Sequence, residues 1–395
     1  MALSRHMQKV ITKTADLQAF MDRLADEPYV TIDTEFLRDS TYYAKLCLVQ
    51  VGGREEAMCV DPLADGIDLE PLYALLRNPK ILKVFHAARQ DLEIFFQMMG
   101  EVPAPLFDSQ IAAMVCGYGE SVGYEQLVRE IANQKLDKSN RFTDWSRRPL
   151  SEKQIKYALG DVTHLRVIYE HLEKQIIKQG RAHWLTEEME ILTDPATYEM
   201  KPEDSWKRLK LRSTEPLFVL TAQLLASWRE SEAQRRDLPR NRVIRDDVIL
   251  ELAAQRPGNQ DALSRIRGLG GNAKGKTGDA LLRIIKQAMD TPAGDRPQLE
   301  RKKPINGKAA ATVELLKVLL KGRCAQHGVA AKMVATVADL EALAEHAISG
   351  KPEHDEHIPT LRGWRHEIFG GPAQKLMRGE LALAMKDGEI VEFEV

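Results

Sequence analysis

The sequence predicts a mixed α/β domain followed by two all-α domains. Three observations carry this. Short β-branched and apolar runs alternate with helical patterns over residues 1–172, whereas from Pro216 onward apolar positions recur at helical spacing. Two charged, breaker-containing stretches, with Pro195 and Pro202 in the first and Thr291-Pro-Ala-Gly-Asp-Arg-Pro opening the second, interrupt the pattern. The expected division is an α/β domain at 1–186, a linker at 187–210, a helical domain at 211–292, a linker at 293–308, a second helical set at 309–382 and a C-terminal tail at 383–395.

Within the first domain, strands are expected at 28–35, 44–51, 57–60 and 81–86, and helices at 15–25, 88–99, 109–116, 123–132 and 152–178. The first helical domain shows apolar positions at Leu217, Leu220, Leu224, Leu225 and Trp228, then Val248, Leu250 and Leu252, Leu263 and Ile266, and Leu281, Leu282 and Ile285. In the third, the apolar pattern runs to Gly363-Trp-Arg-His-Glu-Ile-Phe-Gly370.

Composition narrows the class. A chain of 395 residues with 44% hydrophobic content supports two or three cored domains. Cys47, Cys59, Cys116 and Cys324 form no Cys-x-x-Cys pair, which argues against a disulfide framework or zinc ribbon and for a reducing, cytoplasmic compartment. No apolar leader or membrane-spanning stretch is present in the sequence. The net charge of −2 hides an asymmetry: Lys and Arg number 27 against 33 acids over 1–210, but 14 against 10 over 211–290. An acidic part followed by a basic helical part suits an enzyme that gathers negative charge around metals and takes phosphate affinity from an attached module.

The chemistry-bearing residues are Asp33 and Glu35 in Tyr29-Val-Thr-Ile-Asp-Thr-Glu, Asp91 after the strand Ile81-Leu-Lys-Val-Phe85, and Tyr157 and Asp161 in the Ser-capped helix from 151. The strand period of two places Asp33 and Glu35 on one face, with Ile32 and Thr34 on the other. Tyr157 and Asp161, at i and i+4, share a helix face. All three segments abut apolar runs, so the acids lie near the core edge, where clustered carboxylates repel one another and lose hydration unless cations sit between them. Mg²⁺ or Mn²⁺ suits such oxygen ligands. An Asp-x-Glu strand alone is more often a solvated edge; the ordered combination is what points to two-metal phosphodiester chemistry.

That combination resembles the DEDD superfamily of 3′→5′ exonucleases, in the subclass with tyrosine in its third motif, and most closely the ribonuclease D family. Tyr43-Ala-Lys-Leu-Cys-Leu-Val-Gln50 and Phe85-His-Ala-Ala-Arg-Gln-Asp91 extend the likeness, and Arg236 to Ala253 resembles the HRDC module. The resemblance implies a ribonuclease H-like exonuclease fold followed by two HRDC-type domains. It implies two divalent ions, with Asp33 between them, Glu35 and Asp161 on the one that activates water, and Asp91 on the other, partly through water. Tyr157 would hold the attacking water. An unperturbed phenol, with a pKa of about 10, favours orientation over service as primary base.

Other residues carry two readings each. His86 and Gln90, before Asp91, suit contact with the terminal nucleotide's sugar or phosphate, or His86 caps the strand end. Phe36, beside Thr34 and Glu35, wedges against a terminal base or belongs to the core; Thr34 is grouped with the substrate-binding residues. Phe142 and Trp145, interleaved with five basic residues between Lys135 and Arg148, suit an incoming single strand or tuck back into the core. Gly270-Gly-Asn-Ala-Lys-Gly-Lys-Thr277 matches a phosphate-loop pattern but follows a helical segment rather than a strand, so ATP is not expected as a ligand. His354-Asp-Glu-His357 reads as a polar loop.

The expected function is a monomeric, metal-dependent 3′→5′ exoribonuclease that trims RNA 3′ ends, with tRNA precursors as the substrate the resemblance implies and nucleoside 5′-monophosphates as products. The alternatives are a DNA 3′→5′ exonuclease of proofreading or helicase-linked type, and a catalytically dead nucleic-acid-binding adaptor. Retention of every motif acid argues against the adaptor. Because the motif residues all precede residue 162, a chain cut at 210 is expected to remain a folded nuclease.

Overall fold

The computed structural model describes residues 9–136, 143–299, 307–349 and 358–395. The chain divides into two compact units, one built from residues 1–34, 48–197 and 304–395 and the other from 35–47 and 198–303.

In the first unit the core is a six-stranded sheet. Its strands are β1 (Val10–Ile11), β2 (Tyr29–Leu37), β3 (Lys45–Gly52), β4 (Ala57–Val60), β5 (Leu82–Phe85) and β6 (Leu106–Asp108), in the order β1-β4-β3-β2-β5-β6. β3 and β4 run antiparallel, whereas β2, β5 and β6 are parallel, with Tyr29 opposite Leu82 and Phe85 opposite Asp108. Helices α1 (Thr14–Leu24), α2 (Glu70–Arg77), α3 (Arg89–Met99), α4 (Ser109–Val115), α5 (Tyr124–Glu130), α6 (Glu152–Gln179) and α7 (Ala182–Thr193) accompany it. Most elements expected here fall within two residues of these bounds. The 28-residue α6 opens with a reciprocal capping box: the Ser151 side chain accepts from Gln154 N–H, and the Gln154 side chain accepts in return from the Ser151 backbone. Lys83, in the middle of β5, is fully buried, and its ammonium donates to the carbonyls of Asn78 (2.7 Å), Ile81 (2.8 Å) and Ala104.

Helix α7 lies where a domain end and a linker are expected. Leu185, Met189 and Leu192 sit at helical spacing and are buried, but Glu187, Glu188 and Glu190 between them mask the stripe. The terminal residues form a hairpin of β7 (Leu381–Lys386) and β8 (Glu389–Glu394) rather than a tail. Its turn is Asp387-Gly388, both at positive φ (53° and 85°), the backbone that a tight two-residue hairpin needs.

The 35–47/198–303 unit is helical apart from strand ends: α8 (Pro216–Arg236), α9 (Arg240–Val243), α10 (Asp246–Gln255), α11 (Gln260–Ser264) and α12 (Gly275–Asp290) close around Phe218, Val219, Leu225, Ile249, Leu252 and Leu281. The buried stripe of α8 is rotated from the expected one. Phe218, Val219, Ala222, Leu225 and Ala226 are buried, while Leu217, Leu220, Leu224 and Trp228 are only partly so. Two charges on the inner face explain the offset. Arg229 donates to the Ile244 carbonyl (3.0 Å) and pairs with Asp246 (2.5 Å), and Glu230 accepts a forked pair from Arg240 (2.5 and 2.6 Å) and the Tyr42 hydroxyl. A hydrophobicity count places such residues outside; satisfied ion pairs admit them inside. The Gly270-to-Thr277 segment forms a 3₁₀ turn (Gly270–Ala273) leading into α12, with α11 before it.

The C-terminal helices α13 (Gly307–His327), α14 (Ala331–Val334), α15 (Val337–Ser349), α16 (Gly363–Arg365) and α17 (Gly371–Arg378), with the hairpin, belong to the first unit and dock on the α/β core. The docking is a four-layer stack. The Arg181 guanidinium lies 4.6 Å from the Trp184 ring, Trp184 and Trp364 stack at 4.3 Å and 13°, and Arg365 lies 4.5 Å from Trp364. Arg181 also donates to the carbonyls of Val115 (2.7 Å), Gly328 (3.0 Å) and His327, and Arg365 pairs with Glu187 (2.6 Å) and Glu188. Gly117, at φ 87°, permits the approach, since a Cβ there would meet the Gly328 carbonyl oxygen at 2.6 Å. This docking revises the expectation for a chain cut at 210, because such a cut strips one face from Trp184 and both acceptors beyond the nuclease from Arg181. Trp364→Ala should therefore lower stability by roughly 3–5 kcal/mol in urea unfolding followed by tryptophan fluorescence. Met385→Ala, on the exposed hairpin, should stay within about 0.5 kcal/mol of wild type.

Candidate active site

The site is built where β2, α3 and α6 meet. Along β2 the alternation holds: Ile32 and Thr34 are buried, and Asp33 and Glu35 on the opposite face are partly exposed. α6 brings Asp161 to them, and one carboxylate oxygen from each of Asp33, Glu35 and Asp161 lies within 4.8 Å of the others. The buried Thr31 ties the two elements together, its hydroxyl donating to the Val162 carbonyl (2.9 Å), next to Asp161. Asp91, in the first turn of α3, is also buried; the Thr34 hydroxyl donates to its Oδ1.

Beside the acids lies a cavity of about 280 Å³ lined by Asp33, His86, Tyr124, Tyr157 and Asp161 among others. Tyr124 forms part of its wall. Its hydroxyl donates to the backbone carbonyl of Asp161, and its ring lies 5.2 Å from that of His86. The His86 Nδ1 is held against the Ser109 hydroxyl at 2.9 Å. Asp108, at the end of β6, is only 2% exposed; it accepts from Ala87 N–H (3.0 Å) and Ala88 N–H (2.9 Å) as well as from Gln110 (2.8 Å) and Ile111 (3.4 Å) at the start of α4.

Burial dominates the electrostatics. It pushes Asp33 up to about 7, against an opposing hydrogen bond from the Thr34 backbone. Asp91 is raised well above the carboxylate range, first by burial and then by the charge of Asp33, with the Thr34 hydroxyl opposing. Burial lowers His86 to about 4, so its imidazole is neutral at pH 7. The hydroxyl of Tyr124 is held protonated by burial, reinforced by the charges of Asp161 and Asp33. Oxygen donors only, close packing and carboxylates that resist ionising together fit a hard divalent cation, which would supply the missing positive charge.

Of the other residues singled out from sequence, Phe36 is partly buried and Gln90 exposed. Trp145 is 2% exposed, with its ring centroid 6.1 Å from that of Tyr157. The core alternative therefore holds for Trp145 in this conformation: it backs Tyr157 and offers no free face to a nucleotide. Arg148 pins this segment by donating to both carboxylate oxygens of Asp61 (2.6 Å each) and to the Trp145 carbonyl (2.7 Å). Phe142, His354 and His357 lie outside the described residues. Sequence reasoning missed Tyr124, Ser109 and Asp108. Only Asp108 left a local signal, an Asp between an apolar strand and a helical pattern where an N-cap is expected.

Residues 8–177 match the family model described as a 3′-5′ exonuclease, and residues 221–285 match the HRDC domain model. Ribonuclease D of Jannaschia sp. is 48% identical over 394 residues, covering 98% of this chain and 100% of that protein. Ribonuclease D of Nitrobacter hamburgensis is 45% identical, covering 98% and 99%. The chain belongs to the ribonuclease D family. It is thus a hydrolase of the 3′→5′ exoribonuclease class, with an exonuclease domain followed by an HRDC domain in a mostly helical C-terminal region. The crystal structure of Escherichia coli RNase D, described as an exoribonuclease involved in structured RNA processing, superposes with a TM-score of 0.81 at 31% identity, covering 94% of this chain and 98% of that one. Among the described residues no helix is long and apolar enough to cross a membrane.

The raised Asp33 makes a signed prediction for the metal-free protein. Unfolded, this carboxyl loses its proton near its ordinary value of 3.8, whereas folded it keeps the proton to about 7. The folded state binds more protons over that window, so the contribution is full below pH 4 and is lost as pH rises toward 7. In chelator, wild type should lose stability relative to Asp33→Asn across this range, and added Mn²⁺ at pH 8 should raise the melting temperature of wild type alone.

Proposed function

We propose that this enzyme trims RNA 3′ ends, tRNA precursors among them, by two-metal-ion hydrolysis that releases nucleoside 5′-monophosphates. The observation that carries the reading is the convergence of Asp33, Glu35 and Asp161 within 4.8 Å beside Asp91 and a cavity edged by Tyr157 and His86. In this reading two divalent ions would be held by these carboxylates, with Asp33 shared between them, Glu35 and Asp161 completing one ligand set and Asp91 serving the other. When bound, Mg²⁺ or Mn²⁺ lowers the pKa of water and neutralises charge developing on the phosphodiester oxygens.

The chain's own residues supply the rest. Tyr157 orients the attacking water along the line of displacement, and the buried Trp145 behind it limits the swing of its ring. His86, neutral and held by Ser109, offers hydrogen bonding to the terminal sugar or phosphate without adding charge beside the metals. Thr34 holds Asp91 rather than reaching substrate directly. Phe36 and Gln90 are assigned to the terminal nucleotide. The basic excess over 211–290 supports a phosphate-holding role for the HRDC unit. The 309–382 helices are read as a diverged second HRDC-type module.

The purified chain should shorten tRNA precursors and single-stranded RNA one nucleotide at a time with Mn²⁺ or Mg²⁺, do so poorly on matched DNA, and stop in chelator. Tyr157→Phe should lower kcat by something like 10²–10⁴ with little change in RNA affinity, and Asp33→Asn should abolish turnover while the protein stays folded. Strong residual activity of Asp33→Asn in saturating Mn²⁺ would sink the bridging role.

A further inference from the structure

The turn between β5 and α3 carries His86 at one end and Asp91 at the other, and its shape is not one the chain adopts for free. Ala87 sits at φ 56°, in the left-handed region that a residue with a Cβ disfavours. Something must hold it, and the contacts identify what does. The parallel register sets Asp108 opposite Phe85. From there its Oδ1 accepts from Ala87 N–H at 3.0 Å and its Oδ2 from Ala88 N–H at 2.9 Å. Capping α4 requires only Oδ1, which takes Gln110 N–H at 2.8 Å and Ile111 N–H at 3.4 Å. The second oxygen and the bond to Ala87 exceed what a helix cap needs, and both are directed at the turn. The next residue, Ser109, meets the His86 ring at 2.9 Å, so two consecutive buried residues hold both ends of the turn's entry.

We propose that Asp108 is a positioning residue of the hydrolytic site: by fixing the turn at Ala87-Ala88, left-handed at Ala87, it sets the start of α3 and thereby the placement of Asp91. The proposal rests on the reading of Asp91 as a metal ligand. Asp108 touches neither metal nor substrate in this role. It acts through the backbone, since Asp91 lies in the first turn of α3 and any shift of Ala88 is transmitted to it directly.

Asp108→Asn separates the two duties. Asparagine is itself a good N-cap and keeps one acceptor for α4, but it places an NH₂ group where Oδ2 accepted from Ala88 N–H. In the full-length chain, Mn²⁺ affinity by calorimetry should fall about tenfold and kcat on a short oligoribonucleotide roughly 10–100-fold, with KM little changed. Amide hydrogen exchange over residues 86–91 of the metal-free protein should quicken. Adding Ala87→Gly, which adopts positive φ without strain, should restore part of the Mn²⁺ affinity. Asn259→Ala, which removes an ordinary cap from α11, should lower stability and leave Mn²⁺ affinity alone. Asp91→Asn is the control for the underlying reading. If it weakens Mn²⁺ binding while Asp108→Asn does not, the positioning role is overturned and the ligand assignment stands; if Asp91→Asn binds Mn²⁺ as wild type does, the ligand assignment fails and takes the proposal with it.

Discussion

Carboxylates of Asp33, Glu35 and Asp161 converge within 4.8 Å, with the buried Asp91 tied to the same strand through Thr34, and the α/β core around them answers to that constraint. Burial already raises Asp33 and Asp91 far enough that part of the charge is given up as protons. A fold that left these groups on pliant elements would relax by letting them part. Here they cannot part easily. β2 lies between β3 and β5 inside the sheet, and α6 is a 28-residue helix capped at both ends. The strain is therefore kept as an affinity for cations rather than dissipated as motion.

The means of holding them is consistent. Asp161 and Asp91 are each fixed by buried polar groups one or two steps away that bond to backbone or to the carboxylate itself. Thr31 bonds the carbonyl next to Asp161, Tyr124 bonds the carbonyl of Asp161, Thr34 bonds Asp91, and Asp108 bonds the turn that leads to Asp91. Neutral hydroxyls do most of this, which avoids adding further charge to an acidic centre. Backbone acceptors do not rotate, so a hydrogen bond to one transmits position more faithfully than a bond between two flexible side chains.

The legible part of the molecule was the part governed by local period. β2 and α6 were read closely from sequence because alternation at 29–35 and the Ser151 cap are local signals, and the facing of Asp33 with Glu35 follows from them. What escaped depends on tertiary partners. The rotated face of α8 turns on Arg229 and Glu230 being paired inside the core, and α7 hides its buried stripe behind three glutamates. Trp145 reads equally well as exposed or buried until Tyr157 is seen beside it. Tyr124 lies far along the chain from the acids it supports, and no spacing rule connects Gly123-Tyr124 to Asp161. The Asp387-Gly388 turn differs in kind, since its hairpin signal is local, carried by two adjacent residues that tolerate positive φ.

Charge distribution alone suggested a simple division, with chemistry before residue 162 and RNA holding beyond 211. The packing requires a finer one. Residues 304–395 share a unit with the α/β core and meet it through Trp184, Trp364 and two arginines, whereas the basic excess belongs to residues 211–290 in the other unit. Loss of activity on removing the C-terminal helices would then report first on the stability of the nuclease, since α7, which contributes Trp184 to the stack, also places the Met189 sulfur against the Asp108 backbone N–H at 3.3 Å. A chain of contacts thus runs from Trp364 through α7 to the residue that shapes the Asp91 turn. Substitutions in the 211–290 unit would act differently, through salt-dependent affinity for a polyanion. Deleting everything after 210 merges the two effects and cannot tell them apart, so the roles of the helical parts are separable only by point changes made in each.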